Sequence, residues 1–106
     1  MSVLEENKLD AVGVSKDGTT LALMISDHLE WKNEYEHLVA LQKKINSYLG
    51  YIESKQYEAM YPDSTFSSFV IQIYLQHEPT EKYYQFVSSV NNQLKDLHVF
   101  IYTEHE

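Results

Sequence analysis

The chain has no cysteine and no arginine, only three glycines and two prolines, and no apolar run of the length a bilayer demands. Each shortage removes chemistry. Without cysteine there can be no disulfide, no thiolate nucleophile and no cysteine-ligated zinc or iron–sulfur centre. Without arginine, lysine is the whole basic complement: eight residues against sixteen Asp and Glu, a formal net charge of −8. Nucleic-acid affinity rests on neutralising phosphates and on guanidinium forks at guanine, so neither DNA nor RNA is expected as a partner. The same field repels anionic membrane surfaces and highly phosphorylated substrates. No membrane span is expected either, since that takes roughly 18–20 apolar residues. Glycines at 13, 18 and 50 allow no Gly-x-Gly-x-x-Gly, phosphate-loop or Gly-x-Ser-x-Gly pattern. The opening Met1-Ser2-Val3-Leu4-Glu5-Glu6-Asn7-Lys8 carries neither a basic leader nor an apolar signal segment, which predicts a cytoplasmic protein.

What is present suits one small core. Hydrophobic residues make up 43% and charged residues 23% of 106 positions, a composition close to that of ordinary globular domains. The reading is a single α+β domain over residues 1–106, with 1–8 and 104–106 as loose ends.

Two hydrophobic rhythms alternate along it. Leu9 to Val14, the Asp17-Gly18 turn and the alternating Thr19 to Ser26 read as a β-hairpin. From Asn33 to about Ser54 the apolar residues Leu38, Leu41, Ile45, Tyr48 and Ile52 return every three or four positions, which predicts a helix; Asn33 with Glu36 suggests a capping box. Tyr61-Pro62-Asp63-Ser64 breaks that pattern, and Phe66 to Gln76 alternates as a strand. Pro79 and Thr80 open a second helix with the stripe Tyr83, Phe86, Val87, Val90 and Leu94, and His98 to Thr103 closes as a strand. The order is β-β-α-β-α-β. It predicts a two-layer sandwich: a four-stranded mixed sheet, its first strand antiparallel and the rest parallel, with two helices on one face.

That architecture leaves the other face bare. Alternation places Ala22, Met24, Val70, Gln72, Tyr74, Phe100 and Tyr102 there, an apolar patch of the kind that marks contacts. Met24, Val70, Tyr74, Phe100 and Tyr102 are therefore the expected interface, and a homodimer is the expected partner. The carboxyl ends of parallel strands, where open α/β sheets usually bind ligands, carry Asp27 and His28, His77 and Glu78, and Glu104 and His105. With Trp31 and His37 nearby, the rim Asp27, His28, Trp31, His37 and His77 is the candidate ligand or partner contact. Against it stands a structural account: carboxylates gain roughly 0.3–1 kcal/mol at helix N-termini. That accounts for Glu34, Glu36, Glu78 and Glu81 without function, and Asp27 can cap a turn.

Two functions compete. The first is a small acidic interaction module, homodimeric, with no catalysis and no cofactor. The second is an enzyme using a divalent metal held by His28, His77 and His105 with Asp27 or Glu104. No His-Glu-x-x-His spacing supports the second, and Ser26-Asp27-His28, though it holds the residue types of a hydrolytic triad, has them side by side where a triad needs separate segments.

The stretch Ile25-Ser26-Asp27-His28-Leu29-Glu30-Trp31 is followed by Glu36-His37-Leu38, Leu41-Gln42-Lys43-Lys44-Ile45-Asn46-Ser47-Tyr48-Leu49, Ile52-Glu53-Ser54 and Glu78-Pro79-Thr80. From about Leu9 onward the chain resembles a family of small uncharacterised bacterial proteins. The resemblance implies a single-domain helix-and-sheet protein and brings no catalytic residues with it.

Overall fold

The computed structural model describes residues 3–5 and 8–105. Strands β1 (Ala11–Val14) and β2 (Thr20–Asp27) form the hairpin, followed by helix α1 (Glu34–Glu53), β3 (Ser68–Leu75), α2 (Glu81–Leu94) and β4 (Val99–His105). The sheet order is β1-β2-β3-β4. β1 runs antiparallel to β2, and β2, β3 and β4 are parallel, with Leu23 opposite Ile71 and Ile71 opposite Ile101. This is the expected α+β sandwich.

One parity of the strands carries the core. Leu21, Leu23 and Ile25, then Phe69, Ile71, Ile73 and Leu75, then Val99 and Ile101, are buried together with Leu41, Ile45, Tyr48 and Ile52 of α1 and Tyr83, Val87 and Leu94 of α2. Both helices therefore lie on one side of the sheet. Burial of an aliphatic side chain is worth about 1.5–3 kcal/mol, so this face holds the layers together.

Local chemistry sets the boundaries. Gly18 takes a positive φ of 76°, and Asp17 accepts hydrogen bonds from the Ser15 and Thr19 hydroxyls and the Thr19 amide, closing the hairpin loop. The Ser15 hydroxyl, helped by Thr19, holds the Asp17 carboxyl below its usual range. Thr80 caps α2, its hydroxyl accepting from the Tyr83 amide at 3.2 Å. Asn33 occupies the cap position of α1, but its side chain makes no capping bond, so the expected capping box does not form.

α1 stops at Glu53, beside the expected end at about Ser54. Lys55 enters the left-handed region at φ 58°, and a 3₁₀ turn follows at Gln56–Ala59. That turn delivers Tyr57 into a cluster with Tyr51, Phe66 and Phe69, which draws Phe66 out of the strand predicted to begin with it.

Described residues of the expected loose ends are engaged. Val3 is buried in the core, and Glu104 and His105 pair with Tyr74 and Leu75 as the end of β4. The remainder of the expected loose ends at 1, 2, 6, 7 and 106 lies outside the described residues.

Candidate functional site

The sheet's period of two puts Asp27 on the same side as Leu21, Leu23 and Ile25, beneath the helices. A carboxylate there needs partners. Its Oδ1 accepts from the Leu29 amide at 3.0 Å, turning the chain out of β2, and its Oδ2 accepts from His37 Nε2 at 2.5 Å. His37, in the first turns of α1, is 2% exposed. Trp31 stacks on its ring, centroids 3.7 Å apart, and meets Tyr83 of α2 edge-on at 5.5 Å. The Tyr83 hydroxyl shares a 2.8 Å hydrogen bond with Thr103 of β4. Burial pushes the Tyr83 hydroxyl up to about 12, the Thr103 bond pulls the other way, and the Asp27 carboxylate adds to the rise.

This chain of contacts ties β2, α1, α2 and β4 together at the carboxyl end of the sheet. Its chemistry is that of an oriented imidazole. Because a carboxylate only accepts, Nε2 is the donor in this bond, and Nδ1 lies on the other side of the ring. That Nδ1 is buried, with no hydrogen-bond partner among the described residues.

A second buried pair lies further along α1. Lys44 Nζ reaches Asp10 Oδ1 at 2.9 Å and the Glu5 carbonyl at 2.8 Å. Asp10 Oδ2 accepts from the Ser26 amide at 2.8 Å, while the Tyr48 hydroxyl donates to the Met24 carbonyl and accepts from the Asp10 amide. Burial, with the Asp10 charge nearby, drives the Tyr48 hydroxyl above the ordinary tyrosine range. Neither Lys44 nor Asp10 is among the candidate site residues expected from the sequence; the signal was there, since Lys44 sits on the stripe between Leu41 and Tyr48.

The opposite side of the sheet is open. Tyr74, Phe100 and Tyr102 are 39%, 45% and 59% exposed, while Met24 and Val70 between them are half-buried. Glu104 is the one charged residue among the paired positions on this face.

A family model matches residues 1–106, that of a family of unknown function, DUF6572. The chain belongs to that family. No curated protein and no solved structure matches it.

Against this geometry the predicted rim divides. Asp27 and His37 come together, hydrogen-bonded to one another and buried. Trp31 is half-buried over them, its Nε1 pointing to the His77 carbonyl at 3.4 Å. His28 is exposed and lines two clefts: one of about 330 Å³ with Tyr74, Glu104 and His105, and one of about 390 Å³ with Leu29, Glu36 and His37. His77 lines neither. The set His28, His77 and His105 is accordingly not assembled: among the described residues no three His, Asp or Glu side chains could hold a metal ion. Nor is any helix among the described residues long and apolar enough to cross a membrane.

Proposed function

We propose that this chain is a small protein-interaction module that acts as a homodimer, joined through the uncovered face of its sheet, and that it performs no catalysis of its own. One observation carries the reading: Tyr74, Phe100 and Tyr102 stand exposed on a face of parallel strands, a surface that proteins normally cover. In a chain with 23% charged residues, that face has one charge at its end. Such depletion of charge with enrichment of aromatics is the mark of an interface centre.

The buried Asp27–His37 pair fits the same reading as a brace. Its imidazole is buried and stacked against Trp31, which suits a fixed scaffold better than a turnover site. The brace holds the carboxyl ends of the strands in register, and with them the outward row of Tyr74 and Glu104. His28, Trp31 and His77 have surface to offer at the rim, and a further protein partner could reach them there. The resemblance of the segment from Ile25 to Trp31 supports a bacterial origin, and the acidic balance suits a single domain dissolved in a cytoplasm.

Sedimentation equilibrium tests the reading. The wild type should sediment as a dimer at high concentration, and Tyr74→Lys or Phe100→Asp should return it to monomer with the thermal midpoint little changed. A wild type that stays monomeric throughout would remove the proposal.

A further inference from the structure

The open face has a grain that says how a second copy would sit on it, and the inference rests on the homodimer reading above. Cross-strand partners define rows that point the same way. One row runs Gly13, Ala22, Val70, Phe100 from β1 to β4; the next runs Ala11, Met24, Gln72, Tyr102; the third holds Ser26, Tyr74 and Glu104. In the first and third rows side chains grow from the β1 and β2 half toward the β3 and β4 half, and the second starts at alanine and ends at tyrosine. One half is shallow and the other projects.

Gly13 sharpens the point. Glycine inside a strand weakens it, and it is found where the chain bulges, where φ is positive, or where something approaches the backbone closely. The β1–β2 register runs without a skip, so there is no bulge. The positive φ among the glycines belongs to Gly18. A Cβ built on Gly13 would meet nothing within 4 Å in its own chain. Among the described residues no neighbour fills the space above Gly13, so the glycine leaves the β1 end of its row without a side chain.

We infer that two copies pack face to face about a two-fold axis lying close to the strand direction, between β2 and β3, with Phe100 of each copy seated over the partner's Gly13. Rotation about that axis turns each row end for end onto its own equivalent. Phe100 then faces Gly13, Val70 faces Ala22, Tyr102 faces Ala11, and Tyr74 faces Ser26, a large side chain over a small one each time. Gln72 meets Met24, and Glu104, opposite no β1 residue, falls at the rim. An axis across the strands would stack Phe100 and Tyr102 of both copies on each other and leave the two Gly13 hollows empty. Face-packed sheets keep their strands within about 30° of each other, with layers about 10 Å apart, and an axis near the strand direction satisfies both. Strands about 4.8 Å apart and rising about 3.3 Å per residue give the face a footprint of roughly 400 Å² per copy. Two such footprints total about 800 Å², the size of a weak, concentration-dependent pairing. The occupant that fits this shallow-and-projecting surface is a second copy of the same surface.

A bump-and-hole exchange tests it, read by sedimentation equilibrium with thermal melts beside. Gly13→Leu fills the hollow and should weaken dimerisation at least tenfold while leaving the melting midpoint unchanged or raised, since a side chain there meets open space. Phe100→Ala should also weaken it, and the double variant should recover most of the loss because the new leucine enters the space the ring vacated. If Phe100→Asp abolishes the dimer but Gly13→Leu leaves it intact, the axis is wrong and the face reading stands. If the wild type never dimerises, both fall.

Discussion

Asp27, His37, Asp10 and Lys44 are ionisable side chains inside a 106-residue protein, and each is tolerated because a partner meets it. The two pairs do different work. Asp27–His37 anchors the loop after β2 to the start of α1, whereas Asp10–Lys44 holds the segment before β1 against the middle of that helix. Removing one member of a buried pair strands the other in a poor solvent and costs about 3–5 kcal/mol, more than the pair itself contributes. Lys44→Met should therefore lower the unfolding free energy by about 3 kcal/mol or more, read as an earlier urea midpoint with an unchanged slope. An equal midpoint would mean that Asp10 finds another partner. The pairing logic was partly legible. Asp27 continues the parity of Leu21, Leu23 and Ile25, and Lys44 falls on the stripe of Leu41 and Tyr48, so both positions announce burial. A scan for apolar residues passes over them, and their partners, ten and thirty-four residues away in sequence, follow only from the tertiary packing.

Elements were more legible than side-chain partners. All four strands and both helices follow from periods of two and of three to four, because each is covered on one side only and its pattern records that side. The edges shifted where a residue answers to a neighbour outside its own element. Phe66 reads as strand but belongs to the Tyr57 cluster, whereas α1 ends at Glu53, beside the expected Ser54, where Lys55 then turns left-handed. The helix starts illustrate the same limit, since Asn33 and Thr80 are both good capping residues by type. Thr80 makes its bond to the Tyr83 amide, and Asn33 makes none. Thr80→Ala should therefore cost about 1 kcal/mol, while Asn33→Ala, with no bond to lose, should shift the melting midpoint little. Equal losses from the two substitutions would overturn this distinction.

The whole molecule measures 44 × 27 × 24 Å and carries −8, so pairing brings together two like-charged bodies whose centres lie about as far apart as one body is thick. The face between them adds little charge of its own, so the repulsion is between the bodies and not at the contact. Its range is set by salt: the Debye length is about 30 Å at 0.01 M and about 8 Å at 0.15 M. At the lower ionic strength the two centres feel each other almost unscreened; at the higher one they are about three screening lengths apart. Apolar burial in the interface changes little over that interval. Dimerisation through the open face is therefore expected to strengthen several-fold as salt rises from 0.01 to 0.15 M and then level off, which sedimentation equilibrium at constant pH can follow. Association through surface lysines and carboxylates would show the opposite slope, weakening with salt, and that outcome would place the contact on the charged helical side instead.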